Sequence, residues 1–420
     1  MNGLRDRTQP EPVRTDETEV ERVTRVAAAV RRTPSDFASA ADVARAAGVG
    51  VARLNATVRD HFHTTPRLYL ARARVDAAAR VLARPRARLG DAADAGGFDS
   101  ASAFDDAFRE QLGMSAAAYR ALATTTRFTI RLPVDYRAEF TLRTIGRDAE
   151  SPSERVDGRR FVKLLPGERS PLRLDVALHR GRARCEVRAA RGRVGGDDMR
   201  RAHAVALRLL GLHLDPAPFE QRIARVRKLQ PLVNGRAGLR IPLTADRFEA
   251  VAWAIVGQQI NLAFAYRLRR VLIALAGQDA GDGLRAHPTP GAIAGLDYAD
   301  LTTRQFSRRK AEYVIDTARA IMSGSLPLDA LADGPVPLAE ATILATRGFG
   351  PWTTQYVLMR GFGCADCVPV GDSGLATALG RFFAREPRPD ARETRALMQP
   401  FAPYRSLATF HLWMSLGATP

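Results

Sequence analysis

The sequence predicts a multidomain, mainly α-helical protein with one α+β unit in its middle. Three observations carry this. Residues 21–122 are rich in Ala and Arg, with apolar positions at helical spacing and few strand signals. Residues 126–190 change character: FTIRLPV, AEFTLRTI, RFVKLL, LRLDVALH and ARCEVRAA alternate apolar and polar positions between polar or Gly-rich turns, and each reads as a strand. From about 230 to 420 the helical spacing returns.

In chain order, the polar opening MNGLRDRTQPEPVRTDE predicts a disordered tail over 1–20. It has no apolar h-region and does not read as a secretory signal. Residues 21–122 form the first helical unit. Residues 126–228 form the α+β unit, in which DDMRRAHAVALRLLGL (197–212) is a helix following the strands. Residues 229–420 form the second helical unit, where ADRFEAVAWAIVGQQINLAFAYRLRRVLIALAG is an apolar helical pair. No uncharged apolar run approaches the roughly 20 residues of a membrane span, so no membrane partner is expected. The three cysteines, Cys185, Cys364 and Cys367, are too few for a disulfide framework and fit a reducing cytoplasm.

The net charge of +18 favours a polyanionic partner. The only lysines are Lys163, Lys228 and Lys310, however, and a GC-rich coding sequence produces the same arginine skew. A nucleic-acid partner therefore has to be argued from motifs.

Two helix-turn-helix signals fill the first unit. In DVARAAGVGVARLNATVRDHF (42–62), a short helix ends at Gly48, whose missing Cβ permits a left-handed turn. A second helix from about Val51 buries Leu54 and Val58 and presents Ala52, Asn55 and Arg59 to bases or phosphates. In LGDAADAGGFDSASAFDDAFREQLGMSAAAYR (89–120), Gly97-Phe98-Asp99-Ser100 makes the turn, and Ser100 caps the next helix. Phe104 and Phe108 lie on its core face, and Ser102 joins Asn55 and Arg59 as a DNA-binding candidate. With Pro66, Tyr69-Leu70, Gly113, Ser115 and Tyr119-Arg120, the pattern resembles the AraC-type DNA-binding domain. Asp105 and Asp106 stand where that family offers neutral or basic residues, and carboxylates repel phosphates. A structural or weak DNA anchor thus stays open beside sequence reading.

The most informative stretch is LATRGFGPWTTQYVLMRGFGCADCVPVGDSGL (344–375). Its Gly348-Phe349-Gly350 hairpin can press main-chain groups against a DNA phosphate, because neither glycine has a side chain in the way. Trp352 and Tyr356 follow on one helical face, and Asp372 lies about one helix length further on, where it can reach the adjoining sugar. This points to chemistry on a DNA nucleotide. Three more segments extend the pattern. Ala237–Pro242 leads into Phe248-Glu249, Ile255–Gln259 follows, and Tyr404-Arg405-Ser406 leads into His411-Leu412-Trp413. Together they resemble the AlkA-type 3-methyladenine DNA glycosylase II of the helix-hairpin-helix superfamily across 126–420. The α+β unit, with Pro133-Val134-Asp135-Tyr136, resembles that family's N-terminal β domain.

The resemblance implies a base-flipping hydrolase that cuts the C1′–N bond of alkylated purines, with Asp372 stabilising the sugar cation and orienting water. Asp372 reads also as the N-cap of the following helix. Trp352, Tyr356 and Trp413 read as walls that stack on a cationic base, or as plain core. Ser373 replaces a family aromatic, which implies a more open pocket. Gln258-Gln259 lies at a helix turn, where the resemblance implies a DNA wedge at Gln259; the alternative is an ordinary polar turn residue. The resemblance implies that no cofactor is required and that the hairpin can take a structural monovalent cation, Na+ or K+, on the main-chain oxygens of Leu344, Thr346 and Gly348. Trp352 stands where bifunctional relatives carry a lysine, so no lyase activity is expected. Cys364 and Cys367 have metal-ligand spacing but no second pair, so neither an iron–sulfur cluster nor zinc is expected and both read as structural.

Such a fusion resembles proteins of the bacterial adaptive response to alkylation, some of which carry a cysteine methyl acceptor ahead of the helix-turn-helix. No cysteine precedes Cys185, so that unit is expected to be missing. The expectation is a cytoplasmic, nucleoid-associated monomer acting on double-stranded DNA with alkylated bases. The rival readings are a transcription regulator that uses the glycosylase fold as a damage sensor, and a glycosylase for hypoxanthine or etheno adducts.

Overall fold

A computed structural model describes residues 17–417. Of the tail expected over 1–20, residues 1–16 lie outside the described residues. Thr18 and Glu21 already form a capping box, with Thr18 N donating to Glu21 Oε2 at 2.7 Å, so helix α1 (Glu19–Arg32) starts inside the expected tail.

Helices α2 (Ala40–Ala46) and α3 (Val51–Phe62) make the first helix-turn-helix, with Gly48 at φ +63°. Helix α4 (Pro66–Leu82) connects it to α5 (Leu89–Gly96) and α6 (Ala101–Leu112), and α7 (Ala116–Ala121) closes the unit. The turn between α5 and α6 uses Gly97 at φ +67°, and the Ser100 hydroxyl accepts from Ala103 N. Leu54 and Val58 pack with Val23 and Val30 of α1, while Phe104 and Phe108 pack with Leu82. Each half thus has its own small core.

The middle unit is an antiparallel sheet of β1 (Arg127–Arg131), β2 (Glu154–Asp157), β3 (Arg160–Leu165), β4 (Leu172–His179) and β5 (Arg182–Ala189), in the order β1-β5-β4-β3-β2. AEFTLRTI, expected as a strand, is instead helix α8 (Ala138–Ile145). Its Phe140, Thr141 and Thr144 are buried at helical spacing, and Thr144 Oγ1 returns a hydrogen bond to Phe140 O at 2.8 Å. The short alternation there fits both periods, and packing against β2 and β3 decided it. Helix α9 (Gly196–Leu209) covers β4 and β5.

The rest is helical: α10 (Ala217–Ala224), α11 (Arg247–Gly257), α12 (Leu262–Ala276), α13 (Pro290–Ala294), α14 (Tyr298–Thr302), α15 (Arg308–Met322), α16 (Leu328–Leu331), α17 (Val336–Leu344), α18 (Pro351–Val357), α19 (Ser373–Phe383), α20 (Ala391–Met398) and α21 (Arg405–Ser415). A two-stranded ribbon, β6 (Asp279–Gly281) with β7 (Leu284–Arg285), interrupts this unit, which had been expected to be all helix. Leu284 of the ribbon and Ala286 just after it pack on Leu164 of β3. Helix α10, within the segment assigned to the α+β unit, buries Phe219 and Ile223 in the C-terminal core. That core is centred on α11 and α21, whose Ile255, Leu407 and Phe410 are fully buried.

A buried ionic cluster joins the sheet to the C-terminal helices. Lys163 Nζ on β3 lies 2.7 Å from both Glu154 Oε2 and Glu249 Oε1. Arg269 of α12 closes the ring at 2.7 Å from Glu154 Oε1 and 2.8 Å from Glu249 Oε1. Two cations against two carboxylates leave no net charge, and the dense hydrogen bonding offsets desolvation. Burial raises the Glu249 carboxyl, but Lys163, His287 and Arg269 outweigh it and hold the group at about 2. A carboxylate depressed on folding contributes stability that is fully present above its unfolded pKa, near 4.5, and is lost as pH falls towards about 2. Thermal melts should therefore lose midpoint on acidification through this window. Lys163→Met leaves Arg269 alone against two buried carboxylates, with one negative charge uncompensated, and should cost about 3–5 kcal/mol at neutral pH in denaturant unfolding. A loss below about 1 kcal/mol would show that the cluster does not hold the two units together.

Candidate active site

The hairpin between α17 and α18 is built by steric need. Gly348 has φ +91°, and a Cβ there would sit 2.4 Å from the Tyr313 ring. Gly350 faces open space. Phe349, singled out as part of the DNA-binding hairpin, buries its ring in the core at 8% exposure; only main chain is left to approach DNA.

Gln258 is likewise turned inward. Its Nε2 donates to Gly348 O at 2.9 Å and to Thr353 Oγ1 at 3.0 Å, which makes it a brace for the hairpin rather than a DNA contact. Gln259, its neighbour, is exposed with φ +56°. Lys310 of α15 fixes this turn by donating to the carbonyls of Val256 and Gln258. Burial pushes its amine down to about 8.

Asp372 ends the loop before α19, and its carboxylate is the meeting point of three helices. Oδ1 accepts Leu375 N at 2.7 Å and Trp413 Nε1 at 3.0 Å, while Oδ2 accepts Trp352 Nε1 at 3.0 Å. The N-cap reading holds, and the same side chain lies on the lining of the aromatic cleft. A carboxylate offers about four acceptor directions, so the half-buried group keeps capacity towards the cleft.

That cleft has a volume of about 990 Å³ and is lined by Trp352, Tyr356, Trp413, Asp372, Ser373 and Gln259 among others. Trp352 stacks on Tyr356 with centroids 5.6 Å apart and planes 26° apart. Tyr356 is backed by Arg360, 6.0 Å from its ring centre. Ser373, also on the cleft lining, is exposed.

Two cleft residues escaped the sequence reading. Trp253 of α11 also lines the cleft and pairs with Tyr266, ring centres 4.9 Å apart. Arg147, on the loop after α8, enters from the α+β unit; its Nε and Nη2 are buried without a hydrogen-bond partner, and burial lowers its guanidinium to about 10. Trp253 lies one helical turn before the Gly257-Gln258 motif and was detectable from it. Nothing local marks Arg147.

The first unit is docked on both the α+β unit and the C-terminal helical unit. Arg72 Nη2 donates to His213 O at 2.6 Å, Arg31 pairs with Asp333, and α3 packs on α17. Arg59 is exposed, and Asn55 is half-buried with its amide returned to Val51 O at 2.9 Å. Ser102 is exposed beside Ser100. Asp105, expected to face phosphates, instead accepts Ala116 N at 2.9 Å and pairs with Arg109 at 2.5 Å. This carboxylate is a structural link to α7.

A Gly-x-Gly hairpin, a carboxylate one helix away and an aromatic cleft on a mainly helical unit define a base-excising helix-hairpin-helix protein. Residues 252–403 match the HhH-GPD superfamily base excision DNA repair protein model, and 43–122 match a helix-turn-helix domain. The chain is 34% identical over 209 residues to a DNA-3-methyladenine glycosylase of Bacillus subtilis, covering 48% of this chain and 68% of that one. It is 30% identical over 368 residues to the "Probable bifunctional transcriptional activator/DNA repair enzyme AlkA" of Mycobacterium tuberculosis, covering 83% of this chain and 71% of that protein. A solved 3-methyladenine DNA-glycosylase from Archaeoglobus fulgidus shares the fold, with a TM-score of 0.61 at 20% identity over 68% of this chain and 97% of that one. The chain belongs to the DNA-3-methyladenine glycosylase family. It spans 65–77% of the length of its bacterial relatives.

Trp413→Phe and Trp352→Phe each delete one donor to Asp372 and keep a ring. A hydrogen bond to a charged group contributes about 1.5–3 kcal/mol, so each variant should lose roughly tenfold or more in single-turnover base release with its circular dichroism unchanged. Unchanged rates in both would mean that these donors do not hold the working carboxylate.

Proposed function

We propose that this protein is a monofunctional DNA glycosylase that flips out and hydrolytically excises alkylated purines of the 3-methyladenine type. The reading is carried by one observation: the Asp372 carboxylate is held by two indole N–H groups at an aromatic cleft beside a glycine hairpin. An alkylated purine is cationic. When its C1′–N bond breaks, the electron pair leaves with the now neutral base and positive charge passes to the sugar. Asp372 stabilises that charge, and water adds to C1′ with loss of one proton to the carboxylate or to solvent. Stacking on Trp352 and Trp413 adds cation–π attraction of about 1–2 kcal/mol that a neutral base lacks.

The hairpin's main chain grips a phosphate, and exposed Gln259 fills the gap left by the flipped base. A monovalent cation suits the carbonyls of Leu344, Thr346 and Gly348. Thr346 O accepts Phe349 N and Gly348 O accepts Gln258 Nε2, so each keeps a lone pair for the ion. When bound, the ion supplies positive charge towards the phosphate. The cleft's one lysine, Lys310, has its ammonium engaged by two carbonyls, in keeping with hydrolysis without strand cleavage. The protein acts as a monomer in the bacterial cytoplasm. Asn55, Arg59 and Ser102 of the helix-turn-helix unit add affinity for DNA. The damage-sensing regulator has no use for a carboxylate beside the sugar.

Arg147 favours a second reading of the lesion. A guanidinium at the cleft repels a cationic base and attracts a carbonyl oxygen, such as that of hypoxanthine.

Release of free base should be measured from methylated and from hypoxanthine-containing duplexes. Asp372→Asn should lose at least about a hundredfold in release, with the wild-type product strand intact. Strand cleavage or a borohydride-trapped adduct would refute monofunctional chemistry. Binding without release would favour the regulator. Arg147→Met should raise methylpurine release relative to hypoxanthine by about tenfold; an unchanged ratio removes Arg147 from lesion choice.

A further inference from the structure

The fold brings His63, Cys364 and Cys367 together. One donor atom from each lies within 4.8 Å of the others, although 301 residues separate His63 from Cys364 (364 − 63). The cysteines had been read as a pair without partners. The missing third ligand comes from the helix-turn-helix unit, at the end of its first recognition helix.

We propose that these three side chains form a zinc-type metal site that fastens the helix-turn-helix unit to the glycosylase unit. Two thiolates and an imidazole are a soft donor set that suits Zn(II), and Cys-x-x-Cys is a common ligand spacing for that ion. Zn–S and Zn–N bonds of about 2.3 and 2.0 Å put tetrahedral donor atoms roughly 3.5–3.8 Å apart. The three groups therefore need to close by at most about 1.0–1.3 Å. Two thiolates neutralise the ion, so the half-buried site carries no net charge into the interface.

The surrounding main chain is already fixed. His63 is the C-cap of α3 in a left-handed conformation, φ +51°, which a residue with a Cβ rarely adopts unless its surroundings impose it. Asp366, between the cysteines, is gripped by Arg405 through two contacts of 2.7 Å, and its amide faces His63 Nδ1 at 3.4 Å. Ser406 Oγ accepts Cys367 N at 2.9 Å and donates to Cys364 O at 2.7 Å. A π turn, Leu358–Phe362, ends at Gly363 with φ +81° and delivers the loop to this place. A Cβ on Gly363 would lie 2.8 Å from the His213 ring.

Room for a fourth ligand is present. A cavity of about 180 Å³ between the two units is lined by His63, Cys364, Thr64 and Asp76. Water in it can complete a tetrahedron, as at zinc sites with three protein ligands. The Thr64 hydroxyl is buried without a partner there and can hydrogen-bond to such a water. The metal would set the position of the Asn55–Arg59 face relative to the damage-binding cleft.

The test uses the full chain, reduced, stripped with a chelator and titrated with Zn(II) and Co(II). One metal per chain is expected, with thiolate-to-cobalt charge-transfer absorption. Cys364→Ser should abolish that absorption. His63→Ala should weaken zinc binding by more than the roughly 10–100-fold cost of losing an outer partner, and it keeps both cysteines if the Cys variant fails to fold. Zinc should raise the melting midpoint of wild type and leave that of His63→Ala unchanged. No zinc bound by wild type, or the same affinity in His63→Ala, overturns the proposal. A mass loss of two hydrogens with both thiols blocked, and no metal uptake after reduction, overturns it in favour of a redox-active cysteine pair. Base release by wild type is measured separately, so failure of the metal site leaves the glycosylase reading standing.

Discussion

The carboxylate of Asp372 is the constraint on which the candidate site depends. An anion at the end of a loop, half out of water, needs partners. It has a main-chain N–H from its own helix and one indole N–H each from α18 and α21. Both tryptophans are thereby fixed in orientation as well as position. The same bonds that satisfy the carboxylate set the planes of two rings around the cleft. Tyr356, between them, is held by stacking on Trp352 and by Arg360 behind it. Carboxylate and aromatic walls are therefore one unit, and altering either end disturbs the other.

Around this centre, the α+β unit does more than flank the helices. Its Glu154 and Lys163 are closed into a neutral ring with Glu249 and Arg269, which fixes β2 and β3 against α11 and α12. That anchoring carries Arg147 to the cleft. Helix α11 in turn ends at the Gln258–Gln259 turn, where Gln258 braces the hairpin and Lys310 holds the turn's carbonyls. Packing deep in the molecule is transmitted to the rim, where a flipped nucleotide would enter.

The helix-turn-helix unit sits against this body through α3 and α4, with the cavity beside His63 and Cys364 at the junction. Its first recognition helix is thus half committed to the interface, while Arg59 stays in solvent. Asp105 was seen from the sequence as a charge in the wrong place for DNA. The fold gives it a different task, as acceptor for the first amide of α7 and partner of Arg109.

What the sequence determined by itself is whatever is written locally. Glycines at forced turns, Ser and Asp caps, helical spacing and the order of hairpin, tryptophan and carboxylate were legible, because each follows from the backbone needs of a few neighbouring residues. AEFTLRTI was misread as a strand, since eight residues of mixed period do not choose between helix and sheet without a neighbour to pack on. Phe349 and Gln258 lie in the right motifs, but only the fold decided that one ring is core and one amide is a brace. Arg147 at the cleft and His63 beside Cys364 and Cys367 had no local signature at all. Their roles come from contacts between units far apart in sequence, and such contacts exist only once every core has formed and the units have docked.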